Sequence, residues 1–244
     1  DILDVDDDGD GGVVAWIEDN GKTMKVSTQK KGQKVEADSC SYLFAEKENI
    51  ESIDLTMLDT KDATEMDGMF EGCENLKTID LAPLNTDNVE NMSSMFEKCK
   101  SLTALDISCL NTSKVTDMTM MFSGCEGLKS LDVSNFDTSK VEDMMGMFSF
   151  CESISELDLS SFDTSNVTDM NELVGYCSAL KNINLSSFNT EKVETMENLF
   201  EGCKNLETID ISSFNTKNVA DMYSMFSGCE KLKKLDLSNI DFQK

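Results

Sequence analysis

Apolar residues recur along most of the chain at a fixed period of 26 residues. Three columns of equivalent residues keep this register without an insertion, which predicts a stack of structural repeats. The cysteine column comprises Cys73, Cys99, Cys125, Cys151, Cys177, Cys203 and Cys229. The phenylalanine column comprises Phe44, Phe70, Phe96, Phe122, Phe148, Phe200 and Phe226, with Val174 in the sixth repeat. The methionine column comprises Met66, Met92, Met118, Met144, Met170, Met196 and Met222, and begins with Cys40.

Each repeat has two halves with different apolar spacing. In residues 128–134, Leu131 and Val133 are apolar while Asp132 and Ser134 are polar, which is typical of a short strand with one buried face. The second half places apolar residues at i, i+3, i+4 and i+7, a spacing that predicts a short amphipathic helix. In the fifth repeat these residues are Met144, Met147, Phe148 and Cys151.

One strand and one short helix cannot bury their apolar sides alone, so the repeats must stack. The predicted fold is α/β: a solenoid with a parallel sheet on one face and short helices on the other. Residues 39–244 would form about eight such coils. Residues 1–38 lack the repeat; Val13 to Ile17 and Met24 to Ser27 read as two strands around a turn at Asp19-Asn20-Gly21. We interpret them as an N-terminal β-hairpin cap with an acidic leader.

The repeat pattern L-x-x-L-D-[LVI]-S followed by FDTSxVxDMxxMFxGC resembles the BspA-like branch of bacterial leucine-rich repeats. The match runs from about Ser39 to Asp241, and the stretch GVVAWIEDNGKTMKV before it is similar to the leader of such arrays. The resemblance implies a cell-surface or secreted bacterial protein that binds host or microbial partners. An extended array supplies a binding surface, but its fold alone does not name a ligand.

Charge and composition exclude several classes of function. The net charge is -26, and all 21 cations are lysines, so the chain lacks the positive surface that nucleic acids require. Histidine and arginine are absent, which removes histidine-activated nucleophiles and arginine clamps. No run of about 18 apolar residues is present to enter a membrane. A regular rod also offers no cleft with unequal carboxylates for a glycosidase. We therefore expect no enzyme activity and no cofactor.

The N-terminal leader carries the spacing of a calcium loop. Asp4, Asp6, Asp8 and Asp10 alternate with other residues, but the closing acidic ligand of an EF-type loop is missing. The two interpretations are a solvated acidic linker and a partial calcium site of low affinity.

A column of aspartates marks the outward side of the predicted strands. Stacked carboxylates about 5 Å apart repel by roughly 1 kcal/mol per neighbour in water. Nearby lysines (Lys77, Lys129, Lys181 and Lys233), hydrogen bonds to the backbone or to serine, and a bound cation or basic partner are three ways to offset that repulsion. Asn184 interrupts the column, whose members are Asp54, Asp80, Asp106, Asp132, Asp158, Asp210 and Asp236. We take Asp80, Asp106, Asp132 and Asp158 as candidate ligand-binding residues.

The other columns have structural explanations. The cysteine, methionine and phenylalanine columns are predicted to fill the core. A column of threonines follows Asp or Asn, where turn chemistry explains it: Thr60, Thr86, Thr112, Thr138, Thr164, Thr190 and Thr216. Cys109 lies outside the core columns and is expected to be exposed, where it could form a disulfide-linked dimer.

Two departures from the repeat suggest a contact site. Phe150 and Tyr176 replace the turn glycine in adjacent repeats, and Val174 takes a phenylalanine position beside them. Neighbouring exposed aromatics favour a partner contact, whereas Tyr176 filling the space left at Val174 is the structural alternative. The sequence thus predicts a non-catalytic surface or secreted protein that mediates protein binding or adhesion. The alternatives are a spacer stalk that presents another domain and an acidic scaffold that binds cations.

Overall fold

The computed structural model describes residues 2–4, 13–28 and 33–241. Within these ranges the regular elements are all short strands. They are β1 (Ile2–Asp4), β2 (Val13–Glu18), β3 (Thr23–Thr28), β4 (Val35–Glu36), β5 (Ser52–Asp54), β6 (Leu58–Asp59), β7 (Glu156–Asp158) and β8 (Asn182–Asn184). The rest of the described chain consists of turns and extended segments that stack in 26-residue coils.

Residues 13–28 form a β-hairpin that joins the first coil directly. Strands β2 and β3 pair antiparallel around a turn at residues 19–22, and β1 pairs with the outer edge of β2. On its other edge β3 pairs parallel with β5 of the first coil. Ala15, Met24 and Val26 are buried in the common core. The hairpin therefore covers apolar surface that the first coil would otherwise expose.

Hydrogen bonds between coils replace those of regular secondary structure. In residues 66–72 every second amide donates to a carbonyl of the next coil, 25 residues further along the chain. These bonds join Met66 to Asn91 at 3.0 Å, Gly68 to Ser93 at 2.8 Å, Phe70 to Met95 at 2.9 Å and Gly72 to Glu97 at 2.8 Å. A continuous line of parallel bridges runs along the same side from Ser39 to Asp221.

The predicted short helices are wrong, and with them the α/β class, because the described residues contain no helix. The second half of each coil is a succession of turns. The amide of Met69 donates to the carbonyl of Met66 at 3.3 Å, and that of Cys73 to Phe70 at 3.2 Å. Two such turns in a row point residues i, i+3, i+4 and i+7 inward, as one face of a helix would. The apolar spacing therefore identified the buried residues correctly and the backbone incorrectly.

Left-handed residues make this chain of turns possible. Gly68 and Gly72 have φ of 57° and 68°, and each stands third in its turn, where a positive φ is required. An α-helix needs every amide for its own i to i−4 bonds, whereas here alternate amides leave the coil. The chain thus exchanges bonds within a segment for bonds between neighbouring coils.

The predicted parallel sheet is present only in part. Among the described residues, β3 pairs with β5 and β7 pairs with β8 on that face, and Thr208 bridges Lys234. The other coils keep extended backbone there without the ladder of a regular strand. A separate two-stranded parallel sheet joins β4 to β6.

The core is built from the predicted columns. Phenylalanine rings stack between successive coils with centroids 5.3–5.8 Å apart from Phe44 to Phe148, and Val174 interrupts the stack. Each thiol of the cysteine column donates to a backbone carbonyl of the preceding coil, as Cys125 does to Phe96 at 3.2 Å. Burial raises the pKa of these thiols, to about 11 at Cys73. The sulfur atoms are therefore neutral packing groups.

The threonine column is buried between coils rather than exposed in turns. The Thr138 hydroxyl donates to the carbonyl of Asp163 at 2.9 Å and accepts from the amide of the same residue at 2.8 Å. Thr60, Thr86, Thr112 and Thr164 make the same pair of bonds with the next coil. Each hydroxyl thus satisfies two backbone groups that would otherwise be buried without a partner.

Candidate functional site

The outward aspartates lie along one surface, which we call the strand face: the outward residues of the segments equivalent to β7 and β8 in successive coils. Each aspartate accepts a hydrogen bond from the backbone amide two residues ahead, as in an Asx turn. The donors are Ala82 to Asp80, Ser108 to Asp106, Ser134 to Asp132 and Ser160 to Asp158, each at 3.0 Å. Asn184 forms the same turn with Ser186 at 3.2 Å.

These turns explain how the aspartate column tolerates its own charge. Hydrogen bonds from the side chain and then the backbone of the serine two residues ahead lower the pKa of Asp106, Asp132 and Asp158. Two of the four lysines expected to offset the column pair with glutamates instead: Lys77 with Glu51 at 2.8 Å and Lys233 with Glu207 at 2.7 Å. The carboxylates are therefore held ionised by local donors and remain available to a partner.

A shallow groove of about 550 Å³ crosses three coils of the strand face. Its polar lining includes Asp132, Glu156, Asp158, Asn182 and Asn184, and its floor includes Leu157. A smaller depression of about 150 Å³ continues from Asn184 to Asp210. The structure thus brings two of the candidate residues, Asp132 and Asp158, into one groove. Asp80 and Asp106 continue the same column beside it without lining it.

The two predicted aromatics form a separate site. The rings of Phe150 and Tyr176 stack with centroids 4.6 Å apart and an interplanar angle of 7°. Phe150 is 39% exposed, and Tyr176 is half-buried. A Cβ atom at Gly202 would lie 2.7 Å from the Tyr176 ring, so Tyr176 packs onto the backbone of the next coil. Val174 is itself fully buried in the core.

The N-terminal acidic residues take no part in a described site. Asp4 is the last residue of β1, whereas Asp6, Asp8 and Asp10 lie outside the described residues. Within the ranges that the structure describes, no three acidic or cysteine side chains converge to hold a metal ion.

Cys109 lies apart from the buried thiols. It is exposed, whereas seven of the other cysteines are buried and Cys229 is half-buried. Burial raises the pKa of Cys109 above its ordinary value, with a smaller contribution from Asp106. Cys109 therefore differs from the other cysteines in its exposure to solvent, and not in having a lowered pKa.

Native protein treated with a water-soluble maleimide is expected to label rapidly at Cys109 alone, because seven of the other cysteines are buried and burial raises the pKa of the half-buried Cys229 to about 11. Mass spectrometry of timed samples would locate the label, with Cys109→Ser protein as the control. Fast labelling of several thiols in the folded protein would contradict the buried column.

Turn chemistry alone did not indicate that the threonines join neighbouring coils. The signal that could have indicated it is their invariance: the residues after the threonine vary from Lys61 to Asp87 to Ser113, while threonine itself recurs in seven successive repeats. A solvent-facing turn position would tolerate serine or another polar residue equally well. A column of one β-branched residue indicates instead that both the hydroxyl and the methyl group are used.

Comparison with known families identifies the repeat. A family model described as Mycoplasma protein of unknown function, DUF285, matches residues 38–157 and again residues 147–244. The two matches together cover the coils and leave out the hairpin. No curated protein matches the sequence.

Several solved structures are similar to the chain at low identity. A leucine-rich-repeat protein of T. pallidum has 16% identity and a TM-score of 0.44, over 90% of this chain and 87% of that one. One from Bacteroides ovatus has 18% identity and a TM-score of 0.44, over 91% and 68%. One from Eubacterium ventriosum has 14% identity and a TM-score of 0.42, over 96% of both chains. The predicted resemblance to bacterial leucine-rich repeats is confirmed. The described ranges contain no helix that could span a bilayer.

Proposed function

We propose that this chain, which belongs to the Mycoplasma DUF285 family, is a non-catalytic leucine-rich-repeat protein that binds other proteins with its strand face. The observation that carries the proposal is the groove that crosses three coils and presents Asp132, Glu156, Asp158, Asn182 and Asn184 together. A shallow groove with polar walls and a partly apolar floor suits an extended segment of a partner better than an enclosed small molecule.

The chemistry of the groove supports binding rather than catalysis. General acid–base work by two carboxylates needs environments that separate their pKa values. Asp132 and Asp158 instead occupy equivalent turns, and hydrogen bonds from the equivalent serines, Ser134 and Ser160, lower both pKa values. The chain has no histidine to serve as a proton shuttle or to activate a nucleophile.

The finer part of the proposal concerns location and partners. We propose that the protein is exposed on the bacterial surface or secreted, and that it mediates adhesion to host or microbial proteins. The support is the resemblance of its repeats to BspA-like surface proteins together with the net charge of -26, which favours partners with basic patches.

The test compares two double variants that carry the same change of charge. Asp132→Asn/Asp158→Asn removes two carboxylates from the groove and keeps the turns, since Asn184 forms the same turn naturally. Asp137→Asn/Asp163→Asn makes the same change in another exposed Asx column, where Asn189 forms the turn in a later coil.

Binding of each protein to purified extracellular-matrix proteins and to whole bacterial cells would be measured by biolayer interferometry or cell sedimentation. The groove variant is expected to bind about tenfold more weakly or worse, while the control variant binds as the wild type does. Equal binding by the groove variant and the wild type would rule out the strand face as the binding surface.

A further inference from the structure

The stacked pair Phe150 and Tyr176 is held in a backbone conformation that aromatic residues rarely adopt. Their φ angles are 56° and 62°, in the left-handed region where a bulky side chain is strained. Of the six equivalent positions in other coils, four hold glycine (Gly72, Gly124, Gly202 and Gly228), which adopts the same conformation without strain, and Glu46 and Lys98 adopt it at φ of 58°. The coil does not need a side chain here to fold, so the aromatic pair is retained at the expense of stability. Strain of this kind marks functional positions.

Carboxylates lie on the Tyr176 side of the aromatic pair. Glu201 accepts a hydrogen bond from the Tyr176 hydroxyl, and this bond raises the pKa of Tyr176. Burial raises the pKa of Glu172, and the nearby charges of Glu201 and Glu197 raise it further. In the part of the chain that the structure describes, no lysine lies within ion-pair distance of these three glutamates. The surface around Tyr176 is therefore negative, and no described lysine neutralises it.

The array contains its own example of a cation at the equivalent position. Lys98 occupies the column that holds Phe150 and Tyr176 in later coils. Its ammonium group lies 2.7 Å from Glu97 and 3.8 Å from Glu71, two glutamates of the column that also contains Glu201. These columns are thus spaced so that a lysine head group can reach the glutamates beside it. At Tyr176 an aromatic ring takes the place of the lysine, Gly175 and Ser149 occupy the positions equivalent to Glu97 and Glu71, and the glutamate that contacts the ring is Glu201 of the next coil.

We infer that Phe150, Tyr176, Glu172, Glu197 and Glu201 form a docking site for a lysine or arginine side chain of a protein partner. The exposed rings accept the apolar stem or the planar face of the cationic side chain, and the glutamates accept hydrogen bonds from its head. Charge complementarity selects this partner, because a neutral or acidic segment would leave the glutamates unpaired. The inference rests on the proposed protein-binding function and adds a second contact apart from the strand face.

The experiment measures binding of a short fluorescein-labelled peptide of alternating lysine and serine by fluorescence anisotropy. Phe150→Gly/Tyr176→Gly is expected to reduce affinity about tenfold. The substitution leaves the net charge unchanged, so general attraction of the peptide to an acidic protein is not altered. Glycine also relieves the strained backbone, and a melting temperature at or above that of the wild type verifies that the variant is folded.

The matched control is Tyr42→Gly, which removes an exposed tyrosine with φ of 55° from another part of the array. It is expected to bind the peptide as the wild type does. Glu201→Gln is expected to weaken binding, whereas Glu191→Gln, the same change at an exposed site, leaves it unchanged.

Two results would overturn the inference. One is equal peptide affinity of the wild type and the double glycine variant. The other is that the aromatic pair binds a neutral oligosaccharide, such as maltoheptaose, and not the peptide. If the double glycine variant keeps its peptide affinity while Asp132→Asn/Asp158→Asn still loses binding to matrix proteins, this inference fails and the proposed function stands.

Discussion

Replacing Leu128 with aspartate is expected to abolish cooperative folding of the coils around it. Leu128 is fully buried near the middle of the array, and its amide donates to the carbonyl of Cys125 at 3.2 Å. An aspartate there loses the burial of the leucine side chain and places an unpaired carboxylate in the core. Together these effects cost more than about 4 kcal/mol, a large part of the stability of a typical domain. Because each coil depends on its two neighbours, unfolding around position 128 also uncouples the two halves of the array.

Thermal melting followed by circular dichroism, together with limited proteolysis, would measure the loss. The control is Leu232→Asp, the equivalent substitution four coils further along the chain, where the leucine is only half-buried. We expect that variant to lose a smaller amount, with cleavage confined to its C-terminal part. A melting curve of Leu128→Asp that overlays that of the wild type would contradict the stacked core.

The threonine column provides the second large effect. Thr138→Val preserves the shape of the side chain and removes the hydroxyl, so the amide and carbonyl of Asp163 lose the partner they share. Leaving two buried backbone groups unsatisfied is expected to destabilise the protein by about 2–4 kcal/mol. The measurement is the free energy of unfolding in urea.

Two controls isolate the hydroxyl. Thr138→Ser keeps it and is expected to recover most of the stability. Thr116→Val makes the same change at an exposed threonine whose hydroxyl donates a single bond of 3.3 Å to Glu90, and it should cost less than about 0.5 kcal/mol. A valine variant at position 138 as stable as the wild type would show that water replaces the hydroxyl between the coils.

The sequence predicted what is buried better than it predicted the backbone. The period placed Phe122, Met118 and Cys125 in the core, and all three are fully buried. Those assignments depend only on the register of the repeat and on the cost of exposing apolar surface. The same spacing did not determine the hydrogen-bond pattern, because a pair of turns with left-handed residues and one face of a helix bury the same positions. Serine at position 94 and methionine at position 120 adopt φ of 54° without a glycine to signal it.

The candidate site was predictable in outline and not in detail. Alternation in the strand segments placed Asp132 and Asp158 outward, as the structure does. That the groove includes them and leaves out Asp80 depends on the shape of the stacked coils, which no single repeat encodes. The stacking of Phe150 on Tyr176 followed from their equivalent positions in adjacent coils, whereas the cation-free glutamates beside them became visible only when the ion pairs of Lys98 were known.

The backbone bonds that join one coil to the next span about one repeat of chain, as the 25 residues from Met66 to Asn91 do, and they determine how the array responds to force. Pulling on one end loads the bonds of the outermost coil first, because the hydrogen bonds between coils in the described part of the chain join only neighbouring coils. Each coil that peels away releases about 85–95 Å of extended polypeptide. Under tension the array therefore unfolds coil by coil, in steps of similar length, instead of unfolding in one event at a single force.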